Sequence, residues 1–168
     1  MFEHFDTQEE VFGAKLSAAL TMEHDSLDML VELQDRTQRW ELRDLFHAHA
    51  SETRQQIDNI ERCFQLLEER LRASPSPATK GLAKESRSMF LKTDDDVVDS
   101  ALLAGALETE LYEIGVYQSL ITIAETWDDA DDVVRLLTEN LQQEVAASEK
   151  IQQAAEDVAA QDSAARET

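Results

Sequence analysis

The chain has 168 residues, with 36 acidic and 15 basic side chains and a formal net charge of −21. A surface of this charge repels nucleic acid and anionic membranes, so neither is expected as a partner. The single cysteine, Cys63, excludes an internal disulfide and a cysteine-rich zinc or iron–sulfur site. We expect a cytoplasmic protein, because the acidic N-terminus lacks the basic start and apolar run of a signal peptide.

Two long amphipathic segments open the chain. Apolar residues recur at helical spacing from Thr7 to Arg36 and again from Trp40 to Leu71. The polar residues between them form a short connection, and short connections make neighbouring helices antiparallel. The first part of the chain therefore predicts a helical hairpin.

A break follows this hairpin. Residues 73–78 contain two prolines, Pro75 and Pro77, which end a helix and require extended backbone. From Thr79 to Lys92 a few apolar residues are again spaced for one helical face. We therefore predict a long crossover that holds a short extra helix.

Two more long helices follow the crossover. Thr93 and the acids after it predict a capped start for a helix from Asp94 to Thr126. Gly105 and Gly115 inside this helix suggest that a neighbouring helix approaches closely. A second acidic run then begins the last long helix, which is predicted to end at Val158.

The order of these elements defines a fold class. A hairpin, a long crossover and a second hairpin predict an all-α, ferritin-like antiparallel four-helix bundle. We expect one helical domain over residues 1–158. Residues 159–168 are small and polar, and they predict a flexible acidic C-terminal tail.

Polar side chains interrupt the apolar stripe of each predicted long helix. For any single glutamate, a solvated position at the edge of the stripe is the simpler interpretation. In all four helices, however, at least one Glu shares the face of the flanking apolar residues near the midpoint. Burying such carboxylates without compensation costs on the order of several kcal/mol each, and cations that accept oxygen ligands would neutralise them. The candidate metal ligands are Glu23, His49, Glu52, Glu110, Glu113 and Glu144.

Two stretches of the sequence resemble a known family. Residues 49–67, which include His49 and Glu52, resemble the second helix of the YciE/YciF-type ferritin-like stress proteins. Residues 103–117, with Glu110, Glu113 and a following Tyr117, resemble their third helix. The resemblance covers nearly the whole chain. It implies a ferritin-like bundle, often a homodimer, with a candidate di-iron centre and a role tied to stress.

The chain departs from this family at two positions. Gln56 stands where family members usually carry a histidine, and Ser148 stands where they often carry an aspartate. Gln and Ser are weaker metal ligands than imidazole and carboxylate. His49, three residues before Glu52, would partly substitute as the nitrogen donor.

Two functions follow as hypotheses. The first is a di-metal carboxylate protein of the stress response, with two iron or manganese ions, which oxidises Fe(II) or removes peroxide. The alternative is a metal-free helical bundle with a structural or interaction role and a degenerate metal site. In that case the acids would pair with Arg54, water or protons. Metal content discriminates between the two.

The composition also suggests a source. Lysine is scarce beside the many Asp and Glu residues, as in proteins from organisms that accumulate salt. Dense ionic screening weakens the repulsion between like charges on such a surface. We therefore hypothesise a halophilic protein, an idea that complete folding at very low ionic strength would contradict.

Overall fold

The computed structural model describes residues 4–166, which contain helices and no strand. The five α-helices are α1 (Gln8–Arg36), α2 (Trp40–Leu66), α3 (Pro77–Phe90), α4 (Val98–Ala124) and α5 (Asp131–Arg166). A short 3-10 helix, Asp95–Val97, precedes α4. The predicted all-α class is confirmed, and α3 is the short helix expected in the crossover.

The four long helices form the bundle. Helix α1 packs on α2 and α4 packs on α5, so each hairpin is also a packing unit. The hairpins join through contacts of α2 with α5 and of α1 with α4, while α3 lies against α4 and α1. Among residues 4–166, no helix is both long enough and apolar enough to cross a membrane.

Helix α2 ends at Leu66, before the predicted end at Leu71. Glu68 adopts a positive φ of 55°, which takes the chain out of the helix. This conformation lets the Glu69 amide donate to the carbonyl of Phe64 at 2.9 Å, as in a helix C-cap. The prediction was wrong because a left-handed cap usually carries glycine, and here a glutamate occupies it.

Helix α4 begins at Val98, so the predicted start at Asp94 was wrong. The Thr93 hydroxyl donates to the carbonyl of Met89 at 2.8 Å and therefore does not cap α4. Thr93 instead lies in the turn that follows α3, and it bonds back to the last residues of that helix. The acids that follow it form the 3-10 helix between α3 and α4.

Helix α5 continues to Arg166, past the end predicted at Val158. Residues 159–166 contain no glycine or proline, and alanine, the strongest helix former, is frequent there. Arg39 also holds this segment, since its Nη2 donates to Asp162 Oδ1 at 2.9 Å. Residues 1–3 of the predicted domain and 167–168 of the predicted tail lie outside the described residues.

Two apolar clusters fill the bundle on either side of a polar middle layer. The first cluster includes Phe12, Leu16, Phe64, Tyr117 and Leu137. The second cluster includes Leu30, Phe46, Leu103, Phe90 and Ile151. In each long helix, the buried polar residues of the middle layer lie between the residues that enter the two clusters.

The contact of α3 with α4 depends on a glycine. A Cβ at Gly105 would lie 2.4 Å from Ser86 Oγ and 2.9 Å from Ser86 Cβ. We expect Gly105→Ala to lower the free energy of unfolding by about 1–3 kcal/mol, because the two helices must separate. Urea denaturation followed by circular dichroism measures this change.

Gly115, in the same helix, is the matched control. In the described part of the chain, apart from its two sequence neighbours and the nearby backbone of α4 itself, no atom lies within 4 Å of a Cβ built there. The close approach predicted at Gly115 is therefore wrong. Gly115→Ala should raise the free energy of unfolding by about 1 kcal/mol through helix propensity alone. Equal effects of the two substitutions would contradict this interpretation of Gly105.

Candidate metal centre

The middle layer of the bundle holds five buried ionisable side chains from all four long helices. Each residue is at most 2% exposed. Glu110 and Glu113 share one face of α4, since residues three apart lie on the same side of a helix. The five residues are Glu23 of α1, His49 of α2, Glu110 and Glu113 of α4, and Glu144 of α5.

Four of these side chains converge on one point. One ligand atom from each of His49, Glu110, Glu113 and Glu144 lies within 4.8 Å of the other three. The Nε2 atom of His49 lies 3.1 Å from Glu110 Oε1 and 3.7 Å from Glu144 Oε2. The structure thus brings together four of the six ligands predicted from the sequence, and we call these four residues the carboxylate–histidine cluster.

Glu23 lies beside this cluster in a hydrogen-bond chain. The Tyr117 hydroxyl donates to Glu23 Oε1, and Asn140 Nδ2 donates to the Tyr117 oxygen at 3.0 Å. Asn140 also donates to the backbone carbonyl of Gln56 at 3.2 Å and accepts from Asn59 Nδ2 at 2.7 Å. This chain fixes the position of the Glu23 carboxyl group within the layer.

Glu52 reaches the cluster only through His49. Its Oε2 lies 3.2 Å from His49 Nδ1, and its Oε1 lies 3.8 Å from the Lys150 ammonium nitrogen. The Glu52 side chain is 31% exposed, unlike the other five predicted ligands. It is therefore at the edge of the site, where it orients the imidazole of His49.

The two departures from the family pattern have different environments. Gln56 is completely buried, and neither its side-chain oxygen nor its nitrogen has a hydrogen-bond partner among the described residues. The Ser148 hydroxyl donates to the carbonyl of Val145 in its own helix, at 2.8 Å. Gln56 thus has a free buried oxygen, whereas Ser148 is bound to its own backbone.

Several carboxylate oxygens of the layer lack partners. Within residues 4–166, Glu23 Oε2 and both side-chain oxygens of Glu113 and Glu144 are buried without a hydrogen bond. Buried polar atoms are almost always paired in native proteins. A group of unpaired acceptors around one point indicates a site for protons or cations.

Burial changes the protonation of this layer. Removal from water raises the pKa of Glu23 to about 8, and it raises the pKa values of Glu113 and Glu144 well above their usual range. For His49, burial alone would lower the pKa. Hydrogen bonds to Glu110 and Glu52 outweigh burial and raise it to about 9. Protons therefore balance the charge of the layer when no cation is present.

The donor set of the layer is chemically suited to a metal. Carboxylate oxygens with one imidazole nitrogen are ligands that iron and manganese accept. Carboxylate bundles that hold two metals place glutamates from all four helices, with histidines, at the same level. The residues present therefore fit such a centre, with fewer histidines than that pattern has.

These observations define the class of protein: a ferritin-like helical bundle with a buried carboxylate–histidine cluster. The chain belongs to the family described as "Domain of unknown function (DUF892)", which matches residues 7–164. Protein YciF of Escherichia coli (strain K12) is 32% identical over 147 residues, which cover 86% of this chain and 88% of that protein. The predicted YciE/YciF-type membership is thus confirmed.

Solved structures agree with this assignment. The crystal structure of the E. coli stress protein YciF has a TM-score of 0.86 at 30% identity and covers 92% of this chain and 98% of its own. YcfI from Rhodopseudomonas palustris has a TM-score of 0.85 at 31% identity. It covers 90% of this chain and 98% of its own. The helical bundle is therefore shared across these proteins.

The sequence reasoning missed Asn140. This residue is completely buried and links Tyr117 to the backbone of α2. Its signal was present, because Asn140 lies four residues before Glu144 and so shares its helical face.

Proposed function

We propose that the protein binds two iron or manganese ions at this middle layer and protects against stress by oxidising Fe(II) or removing peroxide. The observation that carries the proposal is the group of unpaired, buried carboxylate oxygens contributed by three helices. The description of the E. coli relative as a stress protein supports the proposed role in stress protection.

Charge balance supports the number of ions. Glu23, Glu110, Glu113 and Glu144 carry four negative charges when ionised, and two divalent cations would neutralise them. The carboxylate–histidine cluster would hold the ions, with Glu23 and Glu52 beside it. Bound iron or manganese would supply the electron transfer that side chains cannot perform.

The protein's own residues shape the environment in which the ions would be bound. The two apolar clusters cover the layer on both sides and exclude water from it. The hydrogen bond between His49 Nδ1 and Glu52 turns Nε2 toward Glu110. The Nε2 atom is therefore the nitrogen that would bind a metal ion. Tyr117 holds Glu23 through its hydroxyl group, and burial together with the Glu23 carboxylate raises the pKa of Tyr117 well above its usual range, so the hydroxyl keeps its proton.

Elemental analysis of protein purified at high salt without a chelator tests the proposal. We expect about two iron or manganese ions per chain, as in other di-metal carboxylate bundles. The double variant Glu110→Gln/Glu144→Gln should lose them, because an amide oxygen carries no charge to balance the cations. Circular dichroism checks that the variant remains folded.

The matched control is Glu108→Gln/Glu156→Gln. It removes two exposed acids from the same two helices and should keep the full metal content. If the parent protein holds no metal, even after anaerobic loading with Fe(II), the di-metal function is excluded.

The alternative is a metal-free bundle with a structural or interaction role. One observation favours it: His49 contacts both Glu52 and Glu110 and can itself provide a positive charge in the layer. The relative from R. palustris also carries the description "a putative structural protein". Under this alternative, protons keep the remaining carboxyl groups neutral, and the same elemental analysis decides between the two functions.

A further inference from the structure

Glu52 is the part of the layer that meets solvent. Its side chain is 31% exposed, whereas those of His49 and Glu110 are 3% and 0% exposed. Glu23, Glu113 and Glu144 are completely buried. A hydrated cation that approaches the bundle can therefore reach Glu52 before it reaches any other predicted ligand.

Short contacts connect Glu52 to the buried carboxylates through His49. His49 Nδ1 lies 3.2 Å from Glu52 Oε2, and its other ring nitrogen, Nε2, lies 3.1 Å from Glu110. The same Nε2 atom is 3.7 Å from Glu144. One imidazole ring thus separates the exposed carboxylate from the buried ones.

Lys150 lies on the outer side of Glu52. Its Nζ atom is 3.8 Å from Glu52 Oε1, and its side chain is 54% exposed. Lys150 also lines a surface groove between α2 and α5, together with the acids Glu41, Glu149 and Asp157. Acids along a groove raise the local concentration of cations, whereas the ammonium group competes with a cation for Glu52.

From this arrangement we propose that Glu52 and Lys150 form the uptake gate of the metal centre. Glu52 captures a divalent cation where its carboxylate meets solvent, beside the Lys150 side chain that lines the groove. The cation then passes His49 to reach Glu110 and Glu144. Lys150 slows uptake by holding Glu52 in an ion pair. The inference rests on the proposed function and assigns Glu52 to transit, not to the resident ligand set.

Stopped-flow mixing of the metal-free protein with Co(II) under argon tests the gate. Co(II) absorbance gives the loading rate, and equilibrium dialysis gives the final number of ions bound. Glu52→Gln should load about tenfold more slowly and reach the same stoichiometry, because steering is lost while the buried ligands stay. Lys150→Met should load about threefold faster, since an exposed ion pair of this kind is weak.

Two variants control for overall charge. Glu108→Gln and Lys84→Met change the net charge by the same amounts on exposed parts of α4 and α3, and both should load at the parental rate. The gate is overturned if Glu52→Gln loads as fast as the parent or binds fewer ions, or if Lys150→Met is no faster. If the parent protein binds no Co(II) at equilibrium, the proposed function itself fails.

Discussion

Raising the pH from 4.5 to about 9 should lower the free energy of unfolding of the metal-free protein by on the order of 5 kcal/mol. Burial raises the pKa of Glu23 from 4.5 to about 8 in the folded protein. The stability gained from this shift is complete below pH 4.5 and is lost as the pH rises through about 8. Chemical denaturation across this pH range measures the loss.

The other buried groups of the layer act in the same direction, whereas the partly exposed Glu52 acts in the opposite one. Burial also raises the pKa values of Glu113 and Glu144. The pKa of His49 rises from 6.5 to about 9, so the contribution of His49 to the free energy of unfolding is lost between these two pH values. The pKa of Glu52 is lowered by its hydrogen bond to His49. Its contribution is therefore lost only as the solution becomes acidic.

A conservative variant separates this effect from the general charge of the chain. Glu23→Gln keeps an oxygen that can accept from Tyr117 but cannot ionise, so its stability should fall less steeply with pH. Glu108→Gln, an exposed control, should keep the parental slope. Parallel pH profiles for the parent and Glu23→Gln would show that the buried carboxyl group does not carry the effect.

The second large loss of stability is expected on substitution of Asp99, which is 1% exposed at the start of α4. Its carboxylate accepts hydrogen bonds from Thr37 Oγ1 at 2.6 Å, from the Gln38 amide at 3.0 Å and from Arg39 Nη1 at 2.7 Å. Asp99→Ala leaves these donors without their acceptor and should lower the free energy of unfolding by about 3 kcal/mol. Urea denaturation at constant pH and salt measures this change in the free energy of unfolding.

Asp162 is the matched control, because it pairs with the same arginine from α5. Its side chain is 22% exposed, so Asp162→Ala should cost less than about 1 kcal/mol. Similar costs for the two variants would show that the burial of Asp99 does not decide the strength of this network.

The helices could be predicted because their apolar stripes are long and regular, whereas their ends depend on contacts distant in sequence. The end of α5 is held by Arg39, which lies far back in the chain between α1 and α2. The start of α4 depends on whether Thr93 bonds forward or back to Met89. Local capping rules do not contain this information.

The buried ligands of the candidate site could be predicted from the sequence, but the exposure of Glu52 could not. Glu110, Glu113 and Glu144 interrupt apolar stripes, so their burial follows from helical period alone. The exposure of Glu52 does not follow in this way. Three residues along a helix leave its side chain about 60° from that of His49, and the packing of α5 decides whether that direction meets solvent.

The position of the polar layer between two apolar clusters also fixes the alignment of the helices. If α1 slid by one turn along its axis, Leu20 or Leu27 would enter the level of the carboxyl groups, and Glu23 would enter an apolar cluster. Such a shift would cost on the order of several kcal/mol for the misplaced carboxyl group alone. The polar layer therefore selects one alignment of the four long helices along the bundle axis, whether or not a cation is bound.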